Sequence, residues 1–117
     1  MKQFLAVFTG SGDNPKMKEW QALDPATRKA REESGKKEWM KWMEKNQKAL
    51  AVQGGPLGKT KRVDAKGIAD IRNQMSGFVV VHAESQEAAA QMFLKHPHFT
   101  AFPGDGVEIM EVMPIPM

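Results

Sequence analysis

The sequence contains no cysteine among its 117 residues. A disulfide framework, a thiolate nucleophile and a cysteine-based zinc site are therefore excluded. No apolar stretch approaches the ~20 residues that a membrane-spanning helix needs. The apolar run that follows the amino terminus, Phe4 to Phe8, is short for the core of a signal peptide and lacks a small-residue cleavage site. We therefore expect a cytoplasmic protein that does not contact a membrane.

Positive charge is in slight excess, with a net charge of +3. Most of the excess lies between Lys16 and Lys66, where glutamates such as Glu32 and Glu38 interrupt the basic residues. Their spacing suits ion pairs one helical turn apart. A nucleic-acid surface would require an unbroken basic stripe with stacking aromatic residues. The pattern favours a solvated helix face, and we expect no nucleic-acid partner.

The length and the composition indicate one globular domain over residues 1–117. Hydrophobic residues make up 41% and charged residues 26%, as in ordinary soluble proteins. Apolar or β-branched runs predict four strands, at Phe4–Phe8, Leu57–Val63, Phe78–Ala83 and Val107–Val112. The second of these is rich in charge, which favours a sheet edge.

Helix signals lie between these strands. Asn14-Pro15 and Asp24-Pro25 are each typical of an N-cap followed by the first helical residue, and predict a short helix through Trp20 and a longer one. The longer helical pattern continues over residues 34–52 and should end at Gly54-Gly55-Pro56. Ser85 should cap a later helix that stops before His96-Pro97. A helical turn is also expected around Ile68 to Ile71.

The resulting order is strand, helix, strand, strand, helix, strand. It predicts an α+β fold, a ferredoxin-like four-stranded antiparallel sheet with its helices on one face. In the first strand Phe4 and Ala6 point to one face and Leu5 and Val7 to the other, so both faces are apolar. Two helices cover only one face. We expect a second copy to cover the other, which gives a homodimer with a closed two-sheet barrel.

Three segments carry a family resemblance: Gly55-Pro56-Leu57, FVVVHAESQEAAA over residues 78–90, and VEIMEVMP over residues 107–114. In these segments the chain resembles the YCII-like (DGPF-domain) proteins, small bacterial proteins with a dimeric α+β barrel fold. The resemblance implies a role that is mostly unassigned, although some relatives take part in the breakdown of chlorinated aromatic lactones. A histidine on the first long helix and an aspartate before a proline have been proposed there as an active dyad. This chain has Glu38-Trp39 and His96 at those positions, so the dyad does not carry over.

Histidine is the side chain best suited to proton transfer near neutral pH. His82 shares a strand face with Phe78 and Val80, so it could titrate inside an apolar cavity or simply hydrogen-bond the backbone. His96 and His98 follow the second helix, and Asp105 or Glu108 could orient one of the two imidazoles. A metal site there lacks a visible third ligand, so we expect no metal and no cofactor. A rigid loop with capping histidines is the alternative.

The remaining candidates are aromatic. Trp39, Trp42 and Phe99 could line a pocket for a small ligand, although helix-stripe aromatic residues usually belong to the core. Gly54 to Thr60 resembles a phosphate-binding loop but lacks its first glycine and follows a helix instead of a strand. The sequence therefore predicts a small-molecule enzyme or enzyme-like binder that uses histidine acid/base chemistry. The alternative is a non-catalytic module that binds a small molecule or another protein.

Overall fold

A four-stranded antiparallel sheet with helices on one face forms the body of the computed structural model, which describes residues 1–116. The strands are β1 (Lys2–Thr9), β2 (Leu50–Pro56), β3 (Thr60–Asp64), β4 (Gly67–Ile71), β5 (Met75–Ala83) and β6 (Gly106–Glu111). The α-helices are α1 (Pro15–Ala22), α2 (Pro25–Lys45), α3 (Gln86–Gln91) and α4 (Pro97–Thr100), and a short 3₁₀ helix spans Gln47–Ala49.

The strand order β2-β5-β1-β6 is that of the ferredoxin-like fold, so the predicted fold class is confirmed. β1 lies between β5 and β6, pairing Phe4 with Val81 on one side and Ala6 with Ile109 on the other. Because β2 and β6 are open edges, one chain does not close a barrel. Closure by a second copy stays a prediction.

The core lies between the sheet and the helices. Alternate residues of the two central strands point to this side and are buried, and Ala89 of α3 and Phe93, just after α3, are buried against them. These residues are Phe4, Ala6, Phe8, Val79, Val81, Ala83, Ala89 and Phe93. Trp39 and Trp42 of α2 pack against them while remaining half-buried.

The second strand of the sheet is not where the sequence predicts it. It is Leu50–Pro56 instead of Leu57–Val63, and the long helix ends at Lys45 instead of reaching residue 52. Gly54 has a φ of 67° and forms a bulge so close to the carbonyl of Phe78 that a Cβ would overlap it. Pro56 is tolerated because β2 is an edge strand. Glycine and proline therefore bend a strand here; they do not terminate the helix.

A separate β-hairpin made of β3 and β4 follows β2 and stands outside the main sheet. The helical turn expected around Ile68 is wrong, because Ile68 pairs across the hairpin with Val63. Gly67, with a φ of 121°, begins the returning strand, and a Lys61–Asp70 ion pair of 2.7 Å joins the two strands. Both apolar partners remain exposed, Val63 at 74% and Ile68 at 71%.

Helices α1, α2 and α3 begin at the N-cap residues that the sequence predicts. The side chains of Asn14, Asp24 and Ser85 each accept a backbone N–H in the first turn of α1, α2 and α3, which confirms all three predicted N-caps. Each cap satisfies a donor that the helix itself leaves without a partner. Across residues 1–116 none of the helices combines the length and the apolar character required for crossing a membrane.

Candidate functional site

An apolar cleft lies between α2 and the β2–β5 edge of the sheet. Its volume is about 630 Å³, within the range typical of small-molecule sites. The helices contribute Lys36, Trp39, Met40, Trp42 and Met43, and the sheet contributes Phe8, Gln53, Gly55, Pro56 and the residues 76–79, with His98 and Phe102 at one end. Few of these side chains are polar, so the cleft suits a mostly apolar ligand with one or two polar groups.

The width of the cleft depends on how closely α2 approaches the rest of the fold near its middle. Gly35 is the only residue of α2 that is buried, and a Cβ there would stand 2.6 Å from the ring of Phe102. The missing side chain allows the helix and the ring to meet. One turn later Trp39, Met40 and Met43 line open space instead of filling it. The width of the cleft therefore follows from a glycine contact followed by large, adaptable side chains.

His98 is the titratable side chain at the buried end of this cleft. It is 8% exposed, and its Nε2 lies 2.7 Å from the carbonyl oxygen of Thr9. A carbonyl only accepts, so Nε2 must carry the proton, and Nδ1 of the neutral ring is left as an acceptor. Nδ1 has no hydrogen-bond partner within residues 1–116. Unlike Nε2 of His96, it is not completely enclosed by the protein. Burial lowers the pKa of His98, while the bond to Thr9 and the charge of Asp105 oppose that change.

His96 is completely enclosed. Its Nδ1 accepts the backbone N–H of His98 at 2.9 Å, which caps α4 and fixes the neutral ring as the Nε2–H tautomer. The Nε2 atom has no polar partner and lies within a ring of aromatic side chains. Ring centroids of Trp39 and Trp42 are both 4.6 Å from its own. Burial, and then the neighbouring His98, lower the pKa of His96 to about 3, so the ring is neutral at physiological pH.

Asp105 is exposed and holds two loops together beside His98. Its carboxylate accepts the backbone N–H of Ser11 at 2.7 Å and the side-chain amide of Asn14. These bonds, the amide of Asn14 first, lower the pKa of Asp105, so it is ionised at neutral pH. Asp105 makes no direct hydrogen bond to His98, but its own N–H donates to the same Thr9 carbonyl that His98 bonds.

The structure brings together some of the predicted site residues and separates others. Trp39, Trp42 and His98 line the cleft, with Asp105 beside His98. His82 pairs with Gln3 and faces away from the helices, as does Glu108, which pairs with Val7. Because these two lie on the outer face of the sheet, the hypothesis of one cavity shared by all three histidines is wrong for a single chain.

Phe99 lies beyond the cleft wall, on α4. Lys16 donates to its carbonyl oxygen at 3.0 Å, and the ammonium stands 5.9 Å from the ring centroid. No group of three side chains suited to hold a metal ion occurs within residues 1–116. His96 has one ring nitrogen occupied by the cap and the other enclosed by rings, so His96 and His98 do not form a pair of ligands.

Four residues of the site escape sequence reasoning. Phe8, with its ring centroid 5.2 Å from that of His98, and Phe102 complete the aromatic wall. Thr9 supplies the carbonyl that sets the tautomer of His98. Gly104 leaves the space that the imidazole occupies, because a Cβ there would overlap the His98 ring and carbonyl. Hydrophobic periodicity reveals neither a backbone carbonyl that accepts a hydrogen bond nor the space that a glycine leaves open.

Comparison with known proteins adds a family and a fold. Residues 13–116 match the model of the YCII-related domain. No curated protein sequence matches the chain significantly. Among solved structures the chain is similar to the 5-chloro-2-hydroxyhydroquinone dehydrochlorinase TftG from Burkholderia phenoliruptrix AC1100, in complex with 2,5-dihydroxybenzoquinone. The TM-score is 0.53 and the identity 19%, over 95% of this chain and 93% of the other. At that identity the likeness shows the fold alone.

Proposed function

This chain belongs to the YCII-related family. We propose that its apolar cleft binds a small planar molecule and that Nδ1 of His98 takes a proton from this molecule. The observation that carries the proposal is the state of His98. Its ring is held at Nε2 by the carbonyl of Thr9, its Nδ1 has no hydrogen-bond partner within residues 1–116, and the residue lines the apolar cleft. A base needs a neutral ring, a fixed orientation and access to the substrate; the bond to Thr9 supports the first two, and the place of His98 in the cleft wall supports the third.

The surroundings of His98 favour the neutral ring before proton transfer and stabilise the charges that form after it. Burial keeps the pKa of His98 below its ordinary value, so the ring is neutral and ready to accept at pH 7. When Nδ1 takes the proton, the ring becomes a cation and the substrate an anion. The carboxylate of Asp105 then stabilises the imidazolium, and the ammonium of Lys36, on the cleft wall, is the cation available to the substrate anion.

The shape of the cleft indicates the class of substrate. Trp39, Phe8 and Phe102 present ring surfaces, and two methionines adapt to irregular outlines. A flat ring carrying an acidic O–H or C–H fits these surfaces. The dehydrochlorinase with the same fold was solved with 2,5-dihydroxybenzoquinone, a molecule of this kind, which supports it as the first binding probe.

The test separates binding from base chemistry. Binding of 2,5-dihydroxybenzoquinone is followed by quenching of Trp39 and Trp42, both in the cleft wall. Base activity is followed with 5-nitrobenzisoxazole, from which a base removes the ring C–H proton while the N–O bond breaks to give a coloured cyanophenolate. His98→Gln keeps a donor for the Thr9 carbonyl but no basic nitrogen. We expect it to bind the quinone within about threefold of wild type and to lose roughly 10²-fold or more in the ring-opening rate.

His82→Gln is the matched control, because His82 lies on the opposite face of the sheet. It should leave both measurements unchanged. Ring opening that is equal in wild type and His98→Gln would refute the base. Quinone binding that survives in that case would favour the alternative, a non-catalytic small-molecule-binding module.

We also propose that two copies of the chain meet through the outer face of the sheet. Leu5, Val7, Phe78 and Val80 point to that face, whereas the helix residues of the core cluster pack on the opposite face. Met110, on the same face, is 41% exposed. A sheet in water normally alternates apolar and polar residues, so an apolar outer face favours a homodimer. His82 would then lie at the interface.

A further inference from the structure

A second, polar cleft lies at the base of the β3–β4 hairpin. Its volume is about 550 Å³, and it is lined by Gly58, Lys59, Thr60, Asp70, Ile71, Arg72, Asn73 and Met75. None of these residues belongs to the wall of the apolar cleft. The hairpin is therefore more than an exposed extension, because its base encloses a space large enough for a small polar group.

The charges of the hairpin leave two cations unbalanced in this cleft. Lys61 pairs with Asp70 at 2.7 Å, and Arg62 pairs with Asp64 at 3.2 Å. By contrast, the structure gives Lys59 and Arg72 no ion-pair partner within residues 1–116, and both line the cleft. The single carboxylate in the wall, that of Asp70, is already bonded to Lys61.

Neutral donors complete the wall, and their orientation is fixed. Asn73 accepts the N–H of Met75 at 2.9 Å through its side-chain oxygen, so its NH₂ group points the other way, to Thr60 at 3.2 Å. The hydroxyl oxygen of Thr60 thus accepts one bond and keeps its own proton to donate. An ammonium, a guanidinium, a hydroxyl and an amide N–H form a donor set that suits an oxyanion.

The polar cleft adjoins the apolar one. Met75 lines the first and Ser76 the second, and these residues are consecutive in the chain. On the facing side Pro56, the last residue of β2, lines the apolar cleft, and Gly58, in the loop that follows, lines the polar one. Between them the N–H of Leu57 donates to the carbonyl of Ser76 at 3.0 Å, which joins the two walls.

We infer that the substrate of the apolar cleft carries an oxyanion, a phosphate or a carboxylate, that Lys59 and Arg72 bind at the hairpin base. This inference rests on the proposed function, since the apolar body of the ligand occupies the cleft beside His98. The hairpin then selects substrates, because a planar molecule without the anionic group lacks the contacts with Lys59 and Arg72. Lys36, at the apolar cleft, remains available to the reacting part of the molecule.

The experiment compares three probes by calorimetry at an ionic strength of about 0.15 M, where exposed charges at a distance are screened: 2-naphthol, 2-naphthyl phosphate and 2-naphthoate. The naphthalene ring tests the apolar cleft, and the two anions distinguish phosphate from carboxylate. We expect at least one anion to bind about tenfold more tightly than 2-naphthol, the scale of one added charge-assisted contact. Arg72→Gln and Lys59→Gln should each remove about three- to tenfold of that gain and leave 2-naphthol binding unchanged.

Lys66→Gln is the matched control, because Lys66 lies in the turn of the same hairpin and lines neither cleft. It changes the net charge by the same amount and should leave all three affinities within about twofold, since exposed charges at a distance are screened. Equal losses in all three variants would overturn the inference, because general electrostatics would then explain the gain. Binding of 2-naphthol with no gain from either anion would overturn it while the proposed function stands. Binding of none of the probes would overturn both.

Discussion

Acid should destabilise this protein through one enclosed imidazole. His96 is 0% exposed, and its pKa is lowered from 6.5 to about 3, first by burial and then by His98. The unfolded chain therefore binds a proton at this position between those two pH values and the folded chain does not. The stabilisation is fully present above pH 6.5 and is lost as the pH falls towards 3.

The expected loss follows from the width of that window. Each pH unit below 6.5 costs about 1.4 kcal/mol of unfolding free energy, up to about 5 kcal/mol for the whole window. At pH 4.5 the loss is about 3 kcal/mol. A domain of 117 residues changes its melting temperature by about 4 °C for each kcal/mol, so His96 alone should lower it by an amount on the order of 10 °C between pH 7 and 4.5.

The assay is thermal or urea unfolding of wild type and His96→Asn between pH 7.5 and 4. Asparagine keeps an acceptor that caps α4 but does not titrate, so the variant starts less stable and should lose less stability on acidification. His98, whose pKa burial also lowers, contributes the same sign of slope to both proteins. His82→Asn serves as the control for removal of a histidine from the outer face. Identical pH slopes in wild type and His96→Asn would refute the reasoning.

Two further predictions concern packing. Gly104→Ala should cost about 2–5 kcal/mol of unfolding free energy, because the added methyl overlaps His98 and breaks its bond to Thr9. Gly106→Ala is the control, because a Cβ at that position would meet nothing within 4 Å. Equal melting temperatures of the two variants would contradict the packing argument. Val80→Lys places a charge in the proposed dimer interface and should convert a dimer into a monomer in analytical ultracentrifugation; a wild-type chain that sediments as a monomer at micromolar concentration would end that proposal.

The sequence predicted the elements whose signals are local. The caps at Asn14, Asp24 and Ser85 placed the starts of three helices, and the apolar runs of β1, β5 and β6 placed three strands within a few residues. The ends of α2 and α3, at Lys45 and Gln91, fall earlier than predicted. It misplaced β2 because a Gly-Gly-Pro run ends helices in most contexts. Here the same residues form a bulged edge strand, a result decided by pairing with β5, which is distant in the sequence.

The site was predicted less well, because its components are not sequence patterns. The apolar stripe of α2 could mean core or pocket, and the position of the helix depends on tertiary contacts such as that of Gly35 with Phe102 and that of Trp42 with the Met92 carbonyl. The sequence placed His82 on the strand face of Phe78 and Val80, as found, but left open whether that face looks towards the helices, and its relation to His98 depends on which side the helices cover. That choice is made by the handedness and packing of the whole fold, which a single strand does not encode.

The two histidines of the His96-Pro97-His98 run have different tasks, and the proline between them is the reason. Proline starts α4, and the residue before a proline is restricted to extended backbone angles, so His96 becomes the N-cap, with ψ of 142°. An N-cap side chain turns back to accept a nearby backbone N–H, which occupies Nδ1 and leads the ring into the core. His98 follows in the first turn, where its ring points to Thr9 and the cleft. In this histidine-proline-histidine run the first ring therefore belongs to the scaffold, and the second ring is the one that keeps a nitrogen without a partner.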